Sequence, residues 1–579
     1  MRRIRGLLEI STMLTTQSQF HTVPHGRLRQ RDRGRAHDKN TTAPRLLTAR
    51  RPAPAAAAGR RRAGHPLLAA SSSGSAPHQP GGSCGGGPLD DGGSSMSSAP
   101  LLAGAAKGEG GGGGEPAAPA PSSWLGRVVD VEEARAQLRF AVPMVLTSMA
   151  YYGIPLVSVM FSGHLGDVHL AGATLGNSWA TVTGYAFVTG LSGALETLCG
   201  QAYGARLYRM LGLYLQSSLI MSAVISVLVS ALWWFTEPVL VFLRQDPEVS
   251  RAAASFVRCQ IPGLFAFSFL QCLLRYLQTQ SIVVPLVVCS VLPFALHVAL
   301  AHLLVNVLGL GLAGASAAAS ATFWISCLML LAYVIRSEAF SETWKGFSAE
   351  AFKYVLPTMK LATPSAVMVC LEYWAFELLV LIAGLLPNST VSTSLIAMCS
   401  STEAIAYMIT FGFSAAVSTR VSNEIGAGNV DRAKTAVSTT LKLSVFLALT
   451  FVALLASGHT QWARLFSGSA AIVSEFAAIA PLVTVSIVLD SAQGVLSGVA
   501  RGCGWQHLAA VTNLVAFYFV GMPLAILFAF KLDLRARGLW AGLICGLVCQ
   551  AFALLVITAR TKWSQLADAM REEKANYVA

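Results

Sequence analysis

The sequence predicts an all-α polytopic membrane protein, with twelve transmembrane helices in two pseudo-symmetric six-helix lobes. Three observations carry that reading. Of 579 residues, 54% are hydrophobic and only 12% charged, about half the charged share of a soluble domain; mean hydropathy is +0.56. Twelve apolar stretches follow from Val128 onward, most of them long enough to cross the roughly 30 Å hydrocarbon core as a helix. The two halves of that region also resemble each other. So few charges cannot clothe a soluble multidomain enzyme of this length, a disordered chain or a nucleic-acid binder.

The basic character belongs to the start of the chain. Residues 1–95 hold fourteen Arg and one Lys against five acids, a net +10, while the remainder carries only +3. Residues 1–125 are expected to be a low-complexity, disordered tail, since runs such as Ala55–Ala58, Arg60–Arg62 and Gly110–Gly114 cannot build a core. Three readings stay open for residues 1–95: an organelle transit peptide, a cytosolic tail, or sequence upstream of a true start at Met96. Residues 126–340 are expected to form the first lobe and 341–565 the second. Residues 566–579 would be a cytosolic tail.

The spans are placed near 137–162, 170–195, 211–235, 252–276, 285–306, 312–335, 356–386, 392–416, 435–457, 473–498, 508–530 and 538–558. They are too long and too uniformly apolar for transmembrane strands. Even-to-odd loops and the C-terminal tail carry Arg206, Arg209, Arg336, Lys345, Lys353, Arg420, Arg432, Lys434, Arg501, Arg560 and Lys562. The positive-inside rule therefore puts both termini in the cytosol. Ten of eleven cysteines lie beyond residue 190, and none forms a C-x-x-C pair. Cys545 and Cys549 share a helix face as packing residues. No disulfide framework, metal site or cofactor is expected; Asn388-Ser389-Thr390 is a sequon too close to span seven to be used.

An internal repeat organises the spans. Pro143 and Gly163 match Pro364 and Gly384 at an offset of 221. Gln201-Ala202-Tyr203-Gly204-Ala205 with Arg209 matches Glu424-Ile425-Gly426-Ala427-Gly428 with Arg432 at 223. Six spans per half return the chain to the same side, so the halves run parallel, a plan in which two bundles rock about a site between them. The glycine-rich joints are read as helix–helix turns that do not touch substrate.

Acids inside the spans are the candidates for chemistry. A carboxylate at a helix centre costs roughly 2.5–3.5 kcal/mol, and taking up a proton lowers that cost, so intramembrane acids default to proton or ion relays. Glu372 and Asp490 are read as the functional pair, a proton or ion relay. Asp490, Gln493, Gly494 and Ser497 share one polar stripe by helical spacing. Glu372 and Glu377 lie 140° apart around a helix and are expected not to face one cavity. Glu196 and Glu377 are read as structural, protonated and bonded to a neighbouring helix. Gln493, Ser497, Asn177, Glu403 and Trp374 are candidate cavity-lining residues; Pro143, Pro357 and Pro364 are candidate kinks or hinges. His297 and His302 are read as packed and bonded.

Several motifs resemble one known family. Ser162-Gly163-His164-Leu165-Gly166, Leu195-Glu196-Thr197-Leu198-Cys199-Gly200-Gln201, Ser418-Thr419-Arg420-Val421-Ser422-Asn423-Glu424 and Gly494-Val495-Leu496-Ser497-Gly498-Val499-Ala500-Arg501-Gly502-Cys503-Gly504-Trp505 resemble the plant branch of the MATE (multidrug and toxic compound extrusion) family, the DETOXIFICATION proteins. The resemblance covers roughly residues 128–565. It implies two six-helix lobes forming an outward-opening V, and proton-driven antiport of organic compounds. It also implies that the acids of Cys370-Leu371-Glu372 and Leu489-Asp490-Ser491 form the second-lobe proton and substrate site. Many bacterial members use an acid in span one, which this chain lacks between Phe140 and Gly163.

The resulting expectation is a secondary transporter that exports cationic or amphipathic organic compounds in exchange for protons, with the proton as coupling ion. It is expected to act as a monomer in the plasma or vacuolar membrane, with small organic molecules, protons and lipid as its partners and no nucleic acid. An exporter of organic anions such as citrate or flavonoids is the alternative. A polytopic enzyme using His297 or His302 is a third reading. The chain contains no GxxxxGK[ST] loop, which argues against ATP-driven transport.

Overall fold

The computed structural model describes residues 130–466 and 469–578; the tail 1–125 lies outside the described residues. Local chemistry sets where the first helix begins. Asp130 precedes α1 (Val131–Gly163), and its carboxylate accepts the amides of Glu132 and Glu133 at 3.0 and 3.1 Å, donors that a helix start leaves open.

The second crossing, α2, is discontinuous. It runs as Asp167–Ala180, a π turn Thr181–Tyr185, then Ala186–Ser192 and Ala194–Gly204. The other crossings follow as α3 (Tyr208–Trp234), α4 (Pro247–Thr279), α5 (Val284–His302, extended by the π turn Leu303–Val307) and α6 (Gly311–Arg336). The second half comprises α7 (Phe352–Ala383), α8 (Ser389–Gly426), α9 (Val430–Phe466) and α10 (Ala470–Cys503). It closes with α11, made of Gln506–Asn513, Leu514–Gly521, Met522–Ile526 and Leu527–Lys531, and α12 (Arg535–Arg560). Among the described residues, eleven of these are long and apolar enough to cross a membrane. The twelfth is α2, whose π turn and break at Gly193 divide it into shorter pieces. Past the spans, residues expected as a tail form the helix α13 (Trp563–Val578), with Trp563 packed edge-on against Trp505 at 5.7 Å.

Each half has its own core. Tyr185, Trp233, Phe267 and Phe323 interlock in the first, with Tyr185 edge-on to Phe267 at 4.9 Å. Phe476, Phe517 and Trp540 anchor the second. Phe446, Leu454 and Phe552 point outward, exposed as side chains against lipid would be.

The repeat is visible in the backbone. α1 and α7 begin 221 residues apart, while Gly311–Arg336 and Arg535–Arg560 match end to end at 224. At the joints, Leu207 N–H bonds the Ala202 carbonyl and Asn429 N–H bonds that of Glu424. The joint offset is therefore 222, one less than the residue match suggests. Arg206 and Gly428 take the same left-handed conformation, at φ 62° and 79°.

The joint glycines do more than turn the chain. A Cβ on Gly204 would overlap the Asn423 carbonyl, and one on Gly426 would overlap that of Gln201. The two joints thus touch backbone to backbone across the halves. Above them, Gly190 packs on Ala366 and Gly412 on Val145, so α1 and α2 meet α7 and α8 along a seam of small residues.

Candidate functional site

Glu372 on α7 and Asp490 on α10 are brought together by a third residue. The Gln493 side-chain N–H₂ donates to Glu372 Oε1 and to Asp490 Oδ1, both at 2.9 Å. Ser497 donates to the Gln493 oxygen at 3.0 Å, which turns the amide nitrogen toward the acids. This uses the spacing of the polar stripe on α10. Gln493 and Ser497 lie buried behind Asp490 rather than on the cavity wall, so they brace the acids and do not line the cavity as expected.

A cavity of about 300 Å³ opens in front of the pair, walled by α7, α8 and α10 with Tyr152 of α1 and Asn177 and Thr181 of α2. Glu403 lines it too. Its Oε2 accepts from Ser486 at 2.7 Å, and Ser486 accepts from the Trp540 indole at 3.1 Å. The other oxygen of Glu403 has no protein partner, and neither do Asn177 Oδ1 and Ser400 Oγ on the same wall.

Two expectations about α7 need correction. Glu377 lines this cavity together with Glu372. The lining face also holds Tyr373, Phe376 and Val380, so it spans the full 140°, and the two glutamates stand at its edges. Trp374 is elsewhere: its indole donates to the Val182 carbonyl at 3.1 Å, tying α7 to the π turn of α2. Pro143 sits inside α1, and Pro357 and Pro364 inside α7; both helices continue through them. Each proline removes one N–H from the ladder.

No Lys or Arg is among the residues that line this cavity. A neighbouring space of about 180 Å³ shares Tyr152, Thr181, Tyr373 and Tyr407 with it. That space is aromatic, lined by Tyr151, Tyr185, Phe267, Phe323 and Phe411, with Arg275 at its edge. Sequence reading missed Arg275. Its place deep in α4, on the far side of the apolar stretch from Arg251 and Arg258, was the signal that could have found it.

Arg275 belongs to a buried ion cluster. Glu196 is fully buried, with Arg275 at 2.9 Å from one oxygen and Arg501 at 3.0 Å from the other. Ser418 also donates to it. The expectation of a protonated Glu196 hydrogen-bonded to a neighbouring helix is replaced by a carboxylate between two guanidinium groups, the arrangement that makes a buried charge tolerable. His297 is buried between Ser158 and Thr322 at 3.2 and 3.0 Å, and His302 pairs with Asn306. No cluster of His, Cys, Asp and Glu that could hold a metal occurs among the described residues.

Two parallel six-helix bundles around an acid-lined central cavity define a membrane transporter rather than an enzyme. The chain belongs to the MatE family, whose model matches residues 143–303 and again 364–527; the matches start at the repeated prolines. It is 55% identical to Protein DETOXIFICATION 18 of Arabidopsis thaliana over 77% of this chain and 96% of that protein. Protein DETOXIFICATION 16 of the same plant is 44% identical, over 75% and 89% of the two chains. The crystal structure of the eukaryotic MATE transporter AtDTX14 superposes with a TM-score of 0.74 at 36% identity, covering 77% of this chain and 99% of that one.

Proposed function

We propose that this integral membrane protein exports cationic organic compounds bearing N–H donors, such as protonated amines, from the cytosol in exchange for protons. One observation carries the reading. Four carboxyl groups, Glu372, Glu377, Glu403 and Asp490, face one cavity whose lining holds no cation. Four charges so placed cannot all persist in a low-dielectric wall. Each is neutralised either by a proton or by the charge of a bound substrate, and that competition is exchange. The unpartnered oxygens of Glu403, Asn177 and Ser400 favour a substrate that donates hydrogen bonds.

The cycle runs by alternating access. On the acidic side protons neutralise the Glu372–Asp490 pair and substrate leaves. On the cytosolic side protons depart and the carboxylates attract the next cation. One pH unit supplies about 1.4 kcal/mol per proton. A one-for-one exchange with a monovalent cation is electroneutral, so the membrane potential adds nothing. Arg275 does not favour the organic-anion alternative, because its guanidinium is held at 2.9 Å by Glu196 and is not among the residues lining the acid cavity. The membrane is the plasma or vacuolar one, with the termini cytosolic and the chain working as a monomer.

The test is uptake of a fluorescent organic amine into proteoliposomes with an acid interior. The reading expects accumulation that collapses with a protonophore and in Asp490→Asn. Uptake by the wild type that ignores the protonophore would sink proton exchange. Uptake of an organic anion instead would select the alternative.

A further inference from the structure

The end of the bundle where the joints touch is also where ions cross between the halves. Glu196 of α2 and Arg275 of α4 belong to the first half; Arg501 of α10 belongs to the second. Arg501 Nε reaches Glu196 at 3.0 Å and its Nη2 donates to Ser414 of α8 at 2.8 Å. The same cluster includes Gln278, which donates to Thr419 across the halves at 3.2 Å and accepts from Arg275 at 2.8 Å. Nearer the rim, Arg420 of α8 forks onto Glu133 of α1 with both bonds at 3.1 Å, and also pairs with Glu424 of its own helix at 3.0 Å.

These two crossings share one design, unlike the more exposed Arg209–Glu350 pair that also joins the halves. In each, the ion shared between two partners has one partner in its own half and one in the other. Glu196 keeps Arg275 if Arg501 withdraws. Arg420 keeps Glu424 if Glu133 withdraws. Parting the halves therefore leaves neither shared ion stranded, which is the costly outcome when a buried pair is broken. The ion that does lose its partner, Arg501 or Glu133, is carried to the opening itself, where water can reach it.

We propose that Glu196 and Arg420 are the shared ions of a releasable latch that closes this side of the transporter. In this latch Arg501 and Glu133 are the partners that let go, while Arg275 and Glu424 stay bound throughout. The latch rests on the halves moving as in alternating access, though not on the identity of the substrate or coupling ion. Arg501 stands one turn beyond Ser497 on the stripe that starts at Asp490, so the acid pair and the latch ride on the same rigid helix. Its role is to position the halves, not to touch substrate.

The test reads opening directly. Ser422 is buried against Gly200 of the opposite half, so Ser422→Cys places a thiol that a maleimide reaches only when this side parts. Its alkylation rate is measured in the full chain, with the native cysteines scored in a parallel sample that keeps Ser422. Arg501→Ala removes the releasing partner and is expected to raise the rate about tenfold, the population change equivalent to about 1.4 kcal/mol. Arg275→Ala removes the retained partner. It should leave the rate unchanged or lower it, because opening now strands Glu196. Arg501→Lys, which keeps charge without the fork, should fall between wild type and Arg501→Ala and covers the case where the alanine variant does not fold.

A latch that is merely core packing would move Arg501→Ala and Arg275→Ala the same way. That result, or no change with Arg501→Ala, overturns the proposal. A chain that shows the contrast yet fails to exchange amine for protons keeps the latch and overturns only the functional reading.

Discussion

The two halves put different chemistry at the same helix positions. By the offsets of the repeat, Glu372 of α7 corresponds to Tyr151 of α1 at 221. Glu403 of α8 corresponds to Thr181 of α2 at the joint offset of 222, and Asp490 of α10 to Phe267 of α4 at 223, the spacing of the Ile282 and Trp505 turn bonds. All six residues line the central space. The acids line one side and Tyr151 and Phe267 the aromatic side, with Thr181 bordering both. Repetition thus supplies the scaffold and the lining positions. The carboxyl groups of the lining come from one half only, so the proposed proton exchange assigns coupling to that half.

The largest effect expected from this comparison comes from removing the acids. Asp490→Asn and Glu372→Gln should each cut pH-driven amine uptake roughly tenfold or more. Tyr151→Phe at the matching position loses only a 3.4 Å bond to the Cys289 carbonyl and should retain most of it. Equal losses in both halves would erase the asymmetry.

Gln493→Leu comes next. It keeps both acids and the volume but deletes two hydrogen bonds of the kind worth about 1.5–3 kcal/mol each when one group is charged. Amine binding, read by fluorescence titration, should weaken measurably while the protein remains folded. An unaltered affinity would mean the bridge is incidental.

The joints give a smaller, structural contrast. Gly204→Ala forces a Cβ into the Asn423 carbonyl and should destabilise by roughly 1–3 kcal/mol, as overpacking does. Gly458 on α9 has nothing within 4 Å of an added Cβ. Gly458→Ala should therefore stabilise by about 0.5–1 kcal/mol. Thermal unfolding in detergent separates the two by sign.

A last prediction sharpens the comparison from the other side. Tyr151→Glu introduces an acid at the position equivalent to Glu372, but in the space that Arg275 borders. It should not restore uptake to Asp490→Asn. Restoration would show that the first half lacks only the carboxyl group.

The sequence by itself determined the spans, the repeat and the two leading acids. Those features are local: a run of apolar residues long enough for the hydrocarbon core, a proline recurring at a fixed offset, and a charge that an apolar run makes conspicuous. The polar stripe from Asp490 to Ser497 was also legible, since it needs only the pitch of one helix. Tertiary structure decided the rest. It made Gln493 the bridge to Glu372, 121 residues away, and put Glu377 on the same cavity wall as Glu372 because the lining face of α7 is wider than a single stripe. It gave Glu196 its charge partners Arg275 and Arg501, the latter 305 residues away, and turned the joint glycines into a contact between halves. None of these follows from helical periodicity, because partner choice in a bundle depends on which faces meet, and that is settled only when both halves pack together.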